Sequence, residues 1–171
     1  FAELGQLAQQ RVVMTRYAGV LASAGEAADG HHGFGEPHSR SVLVRELTDD
    51  VATAVVALAD SGASHFLSLR AMGGAINDVP ADATAFGWRD AGFSVVALGA
   101  DDDALTRAFE PLRALGRGMY PAFETALGDD VVARAFPPAT LARLRALKRR
   151  YDPTALFRDN MPITPAELAT D

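Results

Sequence analysis

One apolar segment organises this chain, and it reads Phe93-Ser94-Val95-Val96-Ala97-Leu98-Gly99. A nearly continuous apolar run of this length is typical of a strand that is buried on both faces, and its two valines favour an extended backbone. We therefore predict that this segment is the central strand of a sheet. The residues that follow it, Asp101-Asp102-Asp103, supply an N-cap and a negatively charged first turn for a helix.

Segments with alternating polar and apolar residues predict the rest of the sheet. Strands are expected at Ser41–Glu46 and Ser64–Arg70, and a helix capped by Thr48 is expected between them, over about Val51 to Asp60. Because strands alternate with helices and most show alternating apolar patterns, the expected fold class is α+β. It consists of a mostly antiparallel sheet with helices packed on one face, followed by an irregular C-terminal tail.

The remaining segments give less regular signals. The helix after Asp101 carries an apolar stripe that ends at Leu115, and Pro111 inside it predicts a kink or a break near Glu110. The other expected elements are a helix at Phe1–Arg11, a strand at Val12–Tyr17, a loop at Gly25–Arg40, a helix at Asp129–Ala135 and a helix from Pro138 to about Arg150 with Leu141, Leu144 and Leu147 inward.

The composition excludes several classes of function. The 171 residues include 16 Lys and Arg against 22 Asp and Glu, and the net charge of −6 argues against nucleic acid or an anionic membrane as the main partner. The chain contains no cysteine, which excludes disulfides, thiolate metal ligands and thiol nucleophiles. No apolar run approaches the roughly 18 residues that cross a bilayer, and no secretion signal opens the chain. We therefore expect a soluble, cytoplasmic protein of open oligomeric state.

A loop with three histidines suggests a metal site. It reads Gly30-His31-His32-Gly33-Phe34-Gly35-Glu36-Pro37-His38, and imidazole and carboxylate ligands suit zinc or nickel. The spacing is not one that a helix or a strand would fix in space, so a solvated loop is the favoured interpretation. No metal site is therefore predicted, and a metal-binding protein stays as an alternative.

The chain also has no segment that could hold the phosphates of a nucleotide alone. Neither G-x-G-x-x-G nor a phosphate loop with Lys and Ser or Thr occurs, so a nucleotide cofactor would have to be held largely by another domain.

Two titratable residues lie where burial would make them reactive. Asp78 lies in a turn beside Pro80, and Tyr120 lies in an apolar stretch. Buried, either could act as a general base or a hydrogen-bond donor.

Two segments resemble one family. The tail Arg149–Asn160, with Tyr151-Asp152-Pro153 and Leu156-Phe157-Arg158, is similar to the C-terminal signature of FAD-linked oxidases related to berberine bridge enzyme. Upstream, Gly73–Arg89 resembles the family's segment G-G-A-x-x-x-V-x-x-x-x-T-A-F-x-H-R. The order and separation of the two segments fit as well, and the resemblance extends over most of the chain from Val12 onward.

The resemblance implies a vanillyl-alcohol-oxidase-like flavoprotein. In that superfamily an N-terminal domain binds FAD, and a second domain, an antiparallel sheet backed by helices, covers the isoalloxazine ring and forms the substrate pocket. Residues 1–150 would be this second domain and residues 151–171 the berberine-bridge-like tail. The N-terminal FAD-binding domain is absent from this chain. The expected partners are therefore that domain, which would hold most of the FAD, and a small-molecule substrate.

The resemblance also assigns roles to individual residues. Asp78 falls where the plant berberine bridge enzyme has a glutamate base, and Tyr120 lies in a segment similar to Y-x-N-F/Y, whose tyrosine often faces the substrate. Both are therefore candidate catalytic residues. Asn160 matches a tail asparagine near the flavin and is the candidate cofactor-binding residue. Trp88 and Arg89, at the H-R end of the upstream motif, are candidate substrate-pocket residues.

Three positions depart from the family patterns: Trp88 stands in place of His, Ala122 in place of Asn and Met161 in place of Gln. These replacements predict a more hydrophobic substrate than a sugar. The predicted function is the substrate-domain portion of an FAD-dependent oxidoreductase, inactive as this fragment alone, that oxidises a small organic molecule by hydride transfer to flavin. Tyr120 or Asp78 would take a hydroxyl or amine proton. The alternative is a non-catalytic, stand-alone binding or interaction module derived from the same family.

Overall fold

The computed structural model describes residues 14–19, 37–158 and 161–165. By its contacts the chain divides into two compact units, Phe1–Gly35 and Glu36–Asp171. In the first unit, residues 17–19 are helical and residues 14–16 are irregular, so the strand predicted at Val12–Tyr17 is wrong in its described part. Met14 and Tyr17 are exposed there, and a strand needs a neighbour on which such side chains can pack. The helix predicted at Phe1–Arg11 lies outside the described residues.

The second unit holds the sheet and the main helices. The strands are β1 (His38–Val44), β2 (Phe66–Ala71) and β3 (Phe93–Gly99), and the α-helices are α1 (Asp49–Asp60), α2 (Asp102–Ala114), α3 (Asp129–Ala135) and α4 (Pro138–Tyr151). Short 3₁₀ turns lie at Gly74–Ile76 and Pro121–Phe123. β1 begins at His38, inside the segment predicted as a loop, because His38 to Arg40 pair with the end of β3. The division into a domain at 1–150 and a tail at 151–171 stays a prediction.

β3 is the central strand, with β1 and β2 on either side and antiparallel to it. Its Val95 pairs with Val42 of β1 and Leu69 of β2. Val95 and its neighbour Val96 point to opposite faces and are both fully buried. The α+β class, the antiparallel sheet and the central position predicted for Phe93–Gly99 are therefore confirmed.

Helices α1 and α2 cover one face of the sheet. This layer forms one buried cluster, made of Val42, Val44, Val95 and Ala97 from the sheet, Val51 and Leu58 from α1, and Leu105, Phe109 and Leu112 from α2. Each helix begins at a side-chain cap, because the Thr48 hydroxyl accepts a hydrogen bond from the Val51 amide at 3.3 Å and Asp101 accepts one from Ala104 at 2.8 Å. The expectation of helices on one face is met by this pair.

Two details of the helices differ from the expectation. α2 continues through Pro111 to Ala114, so the predicted break does not occur. Pro111 is exposed, while the buried Phe109 and Leu112 on either side of it hold the helix against the sheet and outweigh the lost hydrogen bond. Leu147 of α4 is exposed rather than inward, whereas Leu141 is buried and Leu144 is half-buried.

The segment 117–125 runs along the free edge of β1. The Leu43 amide donates to the Gly118 carbonyl at 2.8 Å, the Arg117 amide donates to the Leu43 carbonyl at 3.0 Å, and further on the Thr125 amide donates to Ser39 at 3.2 Å. Within it, Met119 is buried and packs on Val131 and Ala135 of α3. This segment therefore reaches the sheet face that α1 and α2 leave open.

Replacing Phe109 with alanine tests the assigned core. Phe109 is 1% exposed, so Phe109→Ala should lower the free energy of unfolding by about 3–5 kcal/mol, because it removes buried apolar surface and leaves a cavity. Leu115→Ala is the matched control, since Leu115 continues the same predicted stripe but is 42% exposed, and it should cost about 1 kcal/mol or less. Urea unfolding followed by circular dichroism measures both, and equal losses would contradict the assignment.

Candidate functional site

A cavity of about 320 Å³ opens on the sheet face opposite α1 and α2. We call it the aromatic cavity, and its lining residues are Arg70, Ala71, Met72, Ile76, Phe86, Ser94, Tyr120 and Phe123. Arg70 and Ser94 pair across β2 and β3 and form its floor, because they point away from the helix-covered face. Three aromatic rings and two long apolar side chains form its walls. Such a mostly apolar hollow with few polar groups is the usual form of a small-molecule site.

Tyr120 lies between the two other rings of the cavity. Its ring meets Phe86 edge-on, with centroids 6.3 Å apart and planes at 75°, and lies 5.7 Å from the ring of Phe123. Contacts of this kind fix the orientation of the ring. The side chain is still 42% exposed, and in the described part of the chain no group hydrogen-bonds its phenol oxygen. The phenol is therefore held in place and accessible to a ligand.

The backbone of Tyr120 is fixed independently of its ring. The Tyr120 carbonyl accepts two hydrogen bonds, from the Ser41 hydroxyl of β1 and from the Phe123 amide, both at 3.1 Å. Pro121 starts the short 3₁₀ turn that follows, and its restricted φ adds to the rigidity. The tyrosine therefore projects from a well-anchored point on the sheet edge.

Arg89 supports two walls of the aromatic cavity. Its guanidinium donates to the Ile76 carbonyl at 2.8 Å and to the Thr84 hydroxyl at 2.6 Å, and it lies 5.1 Å from the centroid of the Phe86 ring. The side chain is not among the residues that line the cavity. Arg89 therefore acts on the pocket through Ile76 and Phe86, and its predicted contact with substrate stays a prediction.

Trp88 lies behind the segment that carries Tyr120. Its indole N–H donates to the Ala135 carbonyl of α3 at 2.9 Å. Its ring packs so closely on Gly118 that a Cβ added at that glycine would lie 2.5 Å from the ring atom Cε2. Trp88 does not line the aromatic cavity, so the structure shows it as a support, and its role as a substrate-pocket residue stays a prediction.

The structure does not bring Asp78 together with Tyr120. Asp78 is exposed in the turn after the 3₁₀ turn at Gly74–Ile76, where its amide donates to Gly74 at 3.1 Å, and it is not a lining residue of the aromatic cavity. The positive φ angles of Gly73 and Gly74, 128° and 52°, explain why a glycine pair starts this turn. Asn160 lies outside the described residues. The catalytic and cofactor roles of these residues stay predictions.

Arg70 is a residue of the site that the sequence pattern did not single out. Its guanidinium lies 4.7 Å from the centroid of the Phe123 ring. The signal that could have identified it is its position in the strand predicted at Ser64–Arg70, because alternation places it on the less apolar face. Only the return of the segment 117–125 makes that face the floor of a cavity.

A buried ion cluster ties this segment to α2. Arg40 of β1 is buried and pairs with Asp102 at 2.5 Å and with Glu124 at 3.2 Å. Burial raises the pKa of the Glu124 carboxyl, while its hydrogen bond from the Ala126 amide and the charge of Arg40 oppose that effect. Glu124 directly follows Phe123, so its ion pair with Arg40 holds the C-terminal end of the segment whose Tyr120 and Phe123 line the cavity.

The tail is held to α4 by Asp152. Its carboxylate accepts hydrogen bonds from the Leu156 amide at 2.7 Å, the Phe157 amide at 3.1 Å and the Lys148 ammonium at 2.5 Å. Lys148 also donates to the Phe157 carbonyl. The hydrogen bond from Lys148 lowers the pKa of Asp152. The aspartate of the Y-D-P signature is therefore the centre of this set of hydrogen bonds, which we call the Asp152 clasp. It consists of Lys148, Asp152 and the backbone of Phe157, and it lies where the chain turns after α4.

The described residues show neither a metal site nor a membrane-spanning helix. Within residues 14–19, 37–158 and 161–165, no group of three or more His, Asp or Glu side chains is arranged to hold a metal ion. His31 and His32 of the predicted histidine loop lie outside those residues. None of the described helices is long and apolar enough to span a membrane.

Residues 115–164 match the family model described as "Berberine and berberine like". We call residues 115–164 the berberine-like segment, because they are similar to this family. The match confirms the resemblance seen in the tail, and the matched range includes Tyr120, Glu124 and the Asp152 clasp. The berberine-like segment thus contributes both the tyrosine wall of the aromatic cavity and the anchored tail. Among curated protein sequences, none matches the chain significantly.

Solved structures share the fold. "BBE-like 1" of Physcomitrella patens is 20% identical, with a TM-score of 0.66 over 77% of this chain and 31% of that one. Aclacinomycin oxidoreductase is 23% identical (TM-score 0.59, 79% and 34%), and a glycopeptide hexose oxidase complexed with teicoplanin is 22% identical (TM-score 0.60, 75% and 32%). The likeness shows a common fold, and this chain spans about a third of the length of each of these structures.

The clasp at Asp152 should depend on pH. Because the folded pKa of Asp152 lies below its ordinary value of 3.8, the clasp is fully formed above that value and is lost as the pH falls through the lowered pKa. At pH 5 we expect hydrogen-exchange protection of the Leu156 and Phe157 amides. Asp152→Asn should reduce it at the same pH, since the charge on the acceptor is removed.

Asp130→Asn is the control for this experiment, because the Asp130 side chain is 78% exposed on α3 and accepts no hydrogen bond from the tail residues that the structure describes. Its protection factors at Leu156 and Phe157 should equal those of the unmodified protein. Protection that is the same in Asp152→Asn, or that does not change on acidification, would show that the clasp does not hold the tail.

Proposed function

We propose that this chain is the substrate-binding part of an FAD-dependent oxidoreductase. In this proposal it covers the flavin ring and forms the substrate pocket, and most of the FAD is bound by a domain outside this chain. One observation carries the proposal: an accessible, rigidly held tyrosine lines an aromatic cavity on the open face of the sheet, and that tyrosine belongs to the berberine-like segment.

The described residues fit the planar part of such a cofactor and not its pyrophosphate. The aromatic cavity is open on the side where Arg70, Ile76 and Tyr120 are exposed, so a flat ring system could lie across it. Phosphate groups are usually bound at the N-terminus of a helix. The glycine pair Gly73-Gly74 leads into a 3₁₀ turn of three residues instead. Asn160, at the end of the berberine-like segment, is proposed as a further contact to the flavin.

FAD, when bound, supplies the acceptor for a hydride from a substrate carbon. Tyr120 is proposed to act as a phenolate, which takes the proton of the substrate hydroxyl or amine in the same reaction and becomes the neutral phenol. Phe86 and Phe123 hold the phenol ring, which fixes the position of its oxygen relative to a substrate in the cavity. Asp78 is a second candidate for this proton, for a substrate that extends beyond the cavity toward the turn after Ile76.

The substrate is proposed to be a small organic molecule that is more hydrophobic than a sugar. Support comes from the walls of the aromatic cavity, where Met72, Ile76 and Phe86 present apolar surface. Ala122 and Met161, two of the departures from the family pattern, line a different cavity of about 630 Å³ beside Glu124. These two substitutions therefore bear on another surface of the molecule.

Exposed apolar side chains in the tail support the proposal that this chain is part of a larger enzyme rather than a stand-alone binding module. Leu156 and Phe157 are 74% and 79% exposed, although the Asp152 clasp holds their backbone in place. A stand-alone binding module would carry polar residues on such a fixed surface, whereas a further domain would cover apolar ones.

Flavin content tests the proposal directly. The intact mass and the visible absorption spectrum of the protein, purified from its source, should show a protein larger than this chain with a flavin spectrum. A colourless protein with the mass of this chain would overturn the proposal and favour the stand-alone module.

Tyr120→Phe tests the role of the phenol. In the flavin-containing protein it should slow reduction of the flavin by substrate by about 100-fold or more, because a positioned general base contributes about 10²–10⁴-fold. Tyr151→Phe is the matched control, since Tyr151 is an exposed tyrosine at the end of α4, and it should leave the rate unchanged. Stopped-flow absorbance measures both rates, and an unchanged rate in Tyr120→Phe would remove this residue from the mechanism.

A further inference from the structure

Arg70 is the one charged side chain among the described residues that line the aromatic cavity. It extends from β2 at the position paired with Ser94 of β3, and it is exposed. No carboxylate in the described part of the chain pairs with it. In contrast, five other arginines of residues 14–19, 37–158 and 161–165 form ion pairs with Asp or Glu: Arg40, Arg45, Arg113, Arg117 and Arg134.

The contact with Phe123 holds this arginine without using its hydrogen-bond donors. A guanidinium 4.7 Å from the ring centroid is attracted to the face of the ring. Its N–H groups, which point outward in the guanidinium plane, stay available for a second partner. They match the two oxygens of a carboxylate, which a guanidinium can bind through two parallel hydrogen bonds. Arg70 is therefore positioned to bind an anion.

The charge at the cavity differs from the charge of the whole chain. The chain carries a net charge of −6, yet the lining of the aromatic cavity contains one arginine and no acid. An anionic group would be attracted to this point and repelled from most of the remaining surface. Because the walls are aromatic, the rest of the ligand would be planar or apolar.

We propose that Arg70 binds a carboxylate of the substrate, while Phe86, Tyr120 and Phe123 enclose an aromatic ring of the same molecule. The substrate class is thus an aromatic carboxylate with an oxidisable hydroxyl or amine. The proposal rests on the function proposed above, for which it makes Arg70 a specificity-determining residue. Arg70 and Tyr120 both contact Phe123, so the carboxylate and the reacting group of one substrate would both lie near that ring.

Binding of two matched compounds tests this proposal in the full-length protein without turnover. The probes are 2-naphthoate and its neutral analogue 2-naphthamide, with affinities measured by isothermal titration calorimetry. Arg70→Met should weaken binding of 2-naphthoate by about 10- to 100-fold, the usual effect of losing a hydrogen bond to a charged group, and leave 2-naphthamide within about threefold. Arg70→Lys should lose part of the affinity, because it keeps the charge but not the paired donors.

Arg107→Met is the control variant. Arg107 is exposed on α2, on the other side of the sheet, so this substitution removes the same charge and should change neither affinity. Added salt should weaken binding of 2-naphthoate more than that of 2-naphthamide. Failure of the unmodified protein to bind 2-naphthoate, or equal losses for both probes in Arg70→Met, would overturn the proposal.

The outcomes separate this proposal from the proposed function. Naphthoate binding that is independent of Arg70 in a flavin-containing protein overturns the proposal and retains the oxidoreductase. Naphthoate binding that depends on Arg70 in a protein without flavin overturns the oxidoreductase and retains Arg70 as a carboxylate-binding residue. If Arg70→Met changes the flavin absorption spectrum but not the affinity for 2-naphthoate, the guanidinium contacts the flavin, and the proposal is wrong.

Discussion

Burial of β3 on both faces is the constraint from which the rest of the structure follows. Val95 is covered by α1 and α2, and Val96 faces the other side, where the sheet meets the segment 117–125. Since the side chains of a strand alternate between its faces, one continuous apolar strand requires two different covers. Helices α1 and α2 cover one face of the strand. The irregular segment 117–125, hydrogen-bonded to the edge of β1, covers part of the other face and leaves the aromatic cavity open beside it.

The chemistry of the site depends on how rigidly that irregular segment is held. Backbone hydrogen bonds to Leu43 and Ser39 fix its two ends, and the buried Arg40 ties Glu124 to the first turn of α2. A buried charge cluster of this kind is costly to disturb, because loss of one partner leaves the others unpaired. Arg40 thus connects α2, which covers one side of the sheet, to the segment 117–125, which lines the cavity on the other side.

The sequence predicted those parts of the molecule that depend on local patterns. The run Phe93–Gly99 predicted a strand, and the caps Thr48 and Asp101 predicted where two helices begin, because each signal lies within a few consecutive residues. The fold class and the family resemblance were also confirmed. The aromatic cavity could not be predicted in the same way. Arg70 and Phe123 are far apart in the chain and meet only because the segment 117–125 returns along β1. Tyr120 was identified from its apolar sequence surroundings and from the resemblance, whereas its exposure and its two ring contacts are tertiary properties. For Met14 and Tyr17 the pattern was misleading, since β-branched and aromatic residues favour a strand only where a sheet receives them.

The packing of Trp88 on Gly118 makes the side chain tolerated at each position depend on the other. A smaller side chain at position 88 would leave a void behind the tyrosine segment, and any side chain at position 118 would overlap the indole ring. The tryptophan that departs from the family pattern therefore requires glycine at position 118, and the close contact between the two holds the backbone beside Tyr120 against the indole ring.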